Sequence, residues 1–133
     1  MKFLSMEDIL DAKDVETRDV EVPEWGGVVR IRVLSGAERD EFEQSTVFVD
    51  KKGNSKPNLA NLRARLVAKC AINEDGTKLF QSETAVRALG TKSAAALERL
   101  FKACQELNAM TNEDIDELAK DFDDDPSGSS TSD

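Results

Sequence analysis

The chain has 133 residues, with 27 acidic side chains against 18 basic ones, a net charge of −9, and no histidine or tyrosine. One domain is expected at this length, and 34% charged residues beside 5% aromatics limit it to a modest core. An acidic chain suits a phosphate backbone poorly, because Lys and Arg must replace its condensed counterions, and the absence of histidine removes the commonest general acid–base and neutral metal ligand.

Ser5 to Ala12 carries the signals of a short opening helix. Ser5 can cap it, Asp8 stands at the third helical position, and Met6, Ile9 and Leu10 form one apolar side, free to dock on the core or to fray. Val15 to Leu34 holds the strongest β pattern, two alternating runs around Glu24-Trp25-Gly26-Gly27. A two-residue loop at Gly26-Gly27 sets Val22 against Ile31, Val20 against Val33 and Glu21 against Arg32. A loop over Glu24 to Gly27 moves the partners but keeps the faces. Pro23 cannot donate to a ladder and fits a strand end. A two-stranded hairpin is marginal alone, so helices or further strands must cover its apolar face.

Ser35 with Glu38 is a capping box and predicts a helix over 35–45, with Ala37 and Phe42 as its apolar contacts. Val47 to Val49 can add a brief strand, and Lys51 to Pro57 has the composition of an exposed loop. Asn58 to Ile72 follows helical spacing, with Leu59, Leu62, Leu66, Val67 and Cys70 on one face. Asn73-Glu74-Asp75-Gly76 is a turn, and 77–80 is extended. A helix over 82–89 stops at Gly90, with Val86 and Leu89 apolar. Another, over 92–108, has its stripe at Leu97, Leu100, Phe101, Cys104 and Leu107. A third, over 111–122, is capped by Thr111 with Asp114, and Ile115, Leu118, Ala119 and Phe122 form its apolar side. Residues 123–133 contain no apolar side chain beyond proline and glycine, and are expected to be a disordered acidic tail. The fold class is therefore α+β: an N-terminal antiparallel hairpin packed on a mostly α-helical body over 1–122, then the tail.

Motifs for chemistry are missing. Cys70 and Cys104 are too few for a closed zinc site without histidine and read as small buried side chains on helix stripes. Ser-His and Cys-His nucleophile pairs cannot be built. Gly26-Gly27 lacks the lysine of a phosphate-binding loop, Asn73 to Gly76 lacks the alternating ligands of a calcium loop, and Asp121 to Asp125 reads as solvated tail rather than a cation site. No metal, cofactor or catalytic residue is predicted, and nothing favours an enzyme. No apolar run approaches the ~18–20 residues of a membrane span, and Glu7 and Asp8 follow the start too soon for a signal peptide. A reducing cytoplasm is the expected compartment.

Three pieces of the chain carry a family resemblance: Ile9 to Asp11 leading into the hairpin, Arg65-Leu66-Val67 leading into Cys70-Ala71-Ile72, and Leu79-Phe80 followed by Val86 to Gly90 and Lys92 to Asn108. Through these the sequence resembles the tail assembly chaperones of long-tailed bacteriophages and prophages, over most of Met6 to Phe122. The resemblance implies a protein of the host bacterial cytoplasm that acts without ATP and is absent from the finished virion. It also implies binding to the tape measure protein, help for tail tube protein to polymerise around it, and self-association. The chain looks like the short form of such a chaperone.

Partner contacts are expected from Trp25 and Phe48, from Leu97, Leu100 and Phe101, and from Ile115, Leu118 and Phe122. Trp25 has a second reading, as a cover folded back on the hairpin, and the Leu97–Phe101 stripe has one as core. A structural tail or head–tail connector protein of the virion is the alternative function. An acidic mimic of nucleic acid is a third.

Overall fold

The computed structural model describes residues 1–111 together with 113 and 114. The predicted tail over 123–133 lies outside the described residues. So does the predicted helix over 111–122, apart from its start, where Asp114 N–H donates to Thr111 Oγ1 at 3.0 Å and Thr111 N–H donates to Asp114 at 2.8 Å.

The architecture is α+β. In chain order it comprises α1 (Met6–Asp11), β1 (Thr17–Val22), a 3-10 turn (Pro23–Trp25), β2 (Gly27–Arg32), α2 (Gly36–Ser45), β3 (Val47–Val49), β4 (Ser55–Pro57), α3 (Leu62–Cys70), β5 (Ala71–Ile72), α4 (Glu83–Leu89) and α5 (Ala94–Leu107). α5 packs on α3 and against both strands of the hairpin, while α2 and α4 pack on α3. The core is built where these meet. Val22 and Ile31 come from the hairpin, Phe42 from α2, Leu66 and Val67 from α3, and Leu100 from α5. Burying a side chain of this size contributes about 1.5–3 kcal/mol, so the few large residues here carry most of the fold.

The hairpin keeps its predicted faces but not its predicted register. Val22 pairs with Gly27, Val20 with Val29 and Arg18 with Ile31. Pro23 fixes the first residue of the 3-10 turn, and Gly26 closes it in the left-handed region at φ 71°, donating to the Pro23 carbonyl at 3.1 Å. The loop is thus 23–26, and Gly27 is the first residue of β2. Moving the register by an even number preserves the faces. Glu21 therefore faces Val28, and the cross-strand ion pair is Asp19 with Arg30 at 2.7 Å.

The helix predicted over 58–72 is shorter at both ends. Asn58 is tied to the end of α2, its N–H donating to the Thr46 carbonyl at 2.6 Å, and Asn61 enters α3 in the left-handed region at φ 53°. Leu59 is consequently off the helix and exposed. At the other end, Ala71 and Ile72 leave the helix to pair with Ile31 and Arg30. Without them the second edge of β2 would present unpaired backbone groups. The extended segment after the Asn73–Gly76 turn joins them, with Lys78 bridging Ile72 and Leu79 N–H donating to the Ala71 carbonyl at 3.1 Å.

Three smaller differences follow the same pattern. Ser55–Pro57 is not loop but a strand paired with β3. Ala37 is exposed, leaving Phe42 as the buried contact of α2. α5 starts at Ala94 because Ser93 caps it, accepting from Ala96 N–H at 3.3 Å. Gly90 ends α4 as predicted, yet its φ is negative. A Cβ there would lie 2.7 Å from Asn61 Oδ1, so the glycine admits the Asn61 side chain.

Candidate functional site

The residues singled out for partner contacts separate into different environments. Leu97, Leu100 and Phe101 are all buried, Leu100 completely. They face α3 and the hairpin, and Arg63 lies 5.7 Å from the centre of the Phe101 ring while pairing with Glu98. This stripe is core in the folded chain, the second of its two sequence readings. Trp25 is half-buried and packs against the core from the 3-10 turn. Its neighbour Glu24 pairs with Arg99 of α5, clamping the hairpin tip to the helix. Phe48 stands exposed on the β3–β4 hairpin beside exposed Val49. Ile115, Leu118 and Phe122 lie outside the described residues.

The apolar surface left free lies elsewhere. α1 is well formed, since Ser5 Oγ accepts from Asp8 N–H at 3.1 Å and Asp8 accepts from Ser5 N–H at 3.0 Å. Yet no residue of α1 is buried. Phe3 is 98% exposed, Leu10 73% and Met6 68%, and Leu4, Ile9 and Val15 are exposed as well. Isolated helices of this length are marginal in water. The amphipathic pattern of Met6, Ile9 and Leu10 was visible in the sequence; which way it would face was not.

Ion pairs hold much of the rest of the described surface, which also exposes Val28, Leu59 and Leu79. The strongest is Arg32 with Glu38, two short bonds of 2.7 and 2.6 Å with both side chains largely buried. The guanidinium, helped by the Ser35 cap, holds the Glu38 carboxyl down at about 2. A buried amide joins three elements: Asn108 Oδ1 accepts from Leu34 N–H at 2.8 Å, and Nδ2 donates to the Cys104 carbonyl at 2.9 Å and Cys70 Sγ at 3.6 Å.

Chemistry is sparse in this arrangement. Cys70 and Cys104 are both free and fully buried. The Cys70 thiol beside it, together with burial, pushes the Cys104 thiol far up, so it stays protonated and unreactive at neutral pH. Among the described residues no three Cys, Asp or Glu side chains gather as a metal-binding group, and no helix is long and apolar enough to cross a membrane.

The fold is thus a small helical layer carrying an antiparallel hairpin, with the most exposed of its described apolar side chains on an N-terminal arm. No protein-family model matches the chain, and no curated protein matches it. Among solved structures the fold is similar to that of the tail assembly chaperone of bacteriophage HK97. The two share a TM-score of 0.52 and 19% identity over 80% of this chain and 96% of that one. At that identity the likeness is one of fold: a tail-assembly-chaperone-like arrangement.

Proposed function

We propose that the protein is a phage tail assembly chaperone that binds the tape measure protein in the host bacterial cytoplasm. It keeps that client soluble without ATP, passes it to polymerising tail tube protein, and does not remain in the virion. The observation that carries this reading is the fold shared with the HK97 chaperone along nearly the whole of that chain. The exposed arm supports it. A holdase needs apolar surface to cover its client and enough charge to keep the complex dissolved, and the arm residues Phe3, Leu4, Met6, Ile9 and Leu10 occur on a chain of net charge −9. In this reading the client meets the arm first, with Phe48 as a second contact. The buried α5 stripe serves the fold.

Co-expression with the tape measure protein of the same genome tests the proposal. The expected result is a soluble complex that co-purifies, with the chaperone absent from purified virions by mass spectrometry. A tape measure protein equally soluble alone, with no complex formed, would overturn it. Stoichiometric presence in virions would favour a structural tail or connector protein instead.

A further inference from the structure

A groove of about 520 Å³ opens between the C-terminal end of α2, α3 and α4. It is basic on a chain of net charge −9: Arg65, Lys69, Lys78 and Arg87 line it, against Glu83 as the one acidic lining residue among those described. Lys69 is shared with Glu41 at 3.0 Å. Lys78 and Arg87 have no carboxylate within salt-bridge distance among the described residues. Arg65 is fixed in place without an anion. Its guanidinium donates to the Ser45 carbonyl and hydroxyl at 2.8 and 2.6 Å, to the Asn58 carbonyl at 2.6 Å and to the Ala60 carbonyl at 2.9 Å. These oxygens are all neutral, so among the described residues the charge has no counter-ion, and burial pulls the guanidinium's pKa down. A half-buried cation balanced only by dipoles leaves a positive field in the groove. Phe80 and Val86, both half-buried against the core, supply the apolar part of the lining.

We infer that this groove binds an acidic segment of a partner protein, one that presents carboxylates and an apolar side chain on the same side. The carboxylates answer Lys78, Arg87 and the field of Arg65, and the apolar side chain answers Phe80 and Val86. Charge complementarity sets the sign of the partner, because a basic segment would meet the cations as like charges. A nucleic acid fits less well. A phosphate backbone binds by exchanging its counterions for several Lys and Arg, and beyond this groove it would face a chain of net charge −9. The exposed arm of a second copy also fits less well. α1 holds the acids Glu7, Asp8 and Asp11 beside the apolar Met6, Ile9 and Leu10. At about 100° per residue these two sets point to opposite sides of the helix, so the arm cannot turn both toward one groove. The inference stands on the groove alone and does not depend on the chaperone reading.

Amide NMR of the full ¹⁵N-labelled chain, titrated with short peptides, tests it. The probe is Asp-Ser-Phe-Ser-Asp with blocked ends, which when extended carries both carboxylates and the ring on one side. The expected result is a saturable movement of the Lys78 to Arg87 amides that disappears at about 1 M NaCl, where the screening length falls to about 3 Å. Lys-Ser-Phe-Ser-Lys should leave those amides unmoved. Lys78→Glu with Arg87→Glu should weaken the acidic peptide by at least about tenfold and bind the basic peptide instead, a gain that misfolding would not produce. Groove amides that ignore the acidic peptide, or answer both peptides alike, would overturn the inference. An oligothymidylate that binds the groove more tightly than the peptide would overturn it in favour of nucleic acid. Groove shifts that grow with protein concentration, with no peptide present, would overturn it in favour of a second copy.

Discussion

α5 and α1 are both amphipathic helices with serine caps, and they end in opposite environments. The apolar side of α5 is enclosed by α3 and the hairpin, whereas no residue of α1 is buried. Periodicity reports that a helix has an apolar face; it does not report what covers that face. The contrast suggests a division of labour, in which one stripe stabilises the chain and the other is available to a partner. Substitutions on the two helices should therefore have opposite signatures.

The largest effect is expected from the enclosed stripe. Leu100 is fully buried, so Leu100→Ala should destabilise the chain by about 2–5 kcal/mol, read as a fall in the denaturant midpoint. Ile9→Ser with Leu10→Ser on the arm should change stability by no more than about 0.5 kcal/mol, while reducing client retention. Equal stability losses from both would erase the distinction between the helices.

Next comes the amide that fastens the end of α5 to the hairpin. Asn108→Ala leaves Leu34 N–H buried without its acceptor, a loss of about 1–3 kcal/mol. The Arg32–Glu38 pair should matter somewhat less, with Glu38→Gln costing about 1–2 kcal/mol near neutral pH. Its pH dependence has a definite sign. Because the folded carboxyl titrates at about 2 rather than near 4.5, its contribution is complete above about 4.5 and fades as pH falls through about 2. The difference in melting temperature between the parent chain and Glu38→Gln should shrink across that window and stay constant above it. The smallest effect belongs to the arm's own cap. Ser5→Ala removes the acceptor of Asp8 N–H, worth about 0.5–2 kcal/mol to α1 alone. Hydrogen exchange should rise in α1 while the global melting temperature stays put.

The sequence showed best what is decided locally. Ser5 with Asp8, Ser35 with Glu38 and Thr111 with Asp114 were all legible as caps because three residues contain the whole interaction. The faces of the hairpin were legible for the same reason. Its register was not, because the Pro23–Trp25 turn takes residues from the end of the expected first strand and leaves Gly27, an expected loop residue, as the first of β2. Ala71 and Ile72 continue a helical pattern, and only the open edge of β2, some forty residues earlier in the chain, makes them a strand. The clamp between Glu24 and Arg99 joins residues 75 apart and left no sequence signal. The candidate site was legible as a set of apolar residues. Sorting the predicted residues into Leu97, Leu100 and Phe101 inside and Phe48 outside required the tertiary packing, and the exposed arm residues Phe3, Ile9 and Leu10 were not among those predicted to meet a partner.

The most direct measurement is tape measure protein retained on an affinity-tagged chain after co-expression, compared between the parent and Ile9→Ser with Leu10→Ser. The parent is expected to hold the client in solution. The variant, with an unchanged melting temperature, should release most of it to the insoluble fraction. Equal retention by the two proteins would show that the arm is not the client surface, and no retention by the parent would contradict the chaperone function itself.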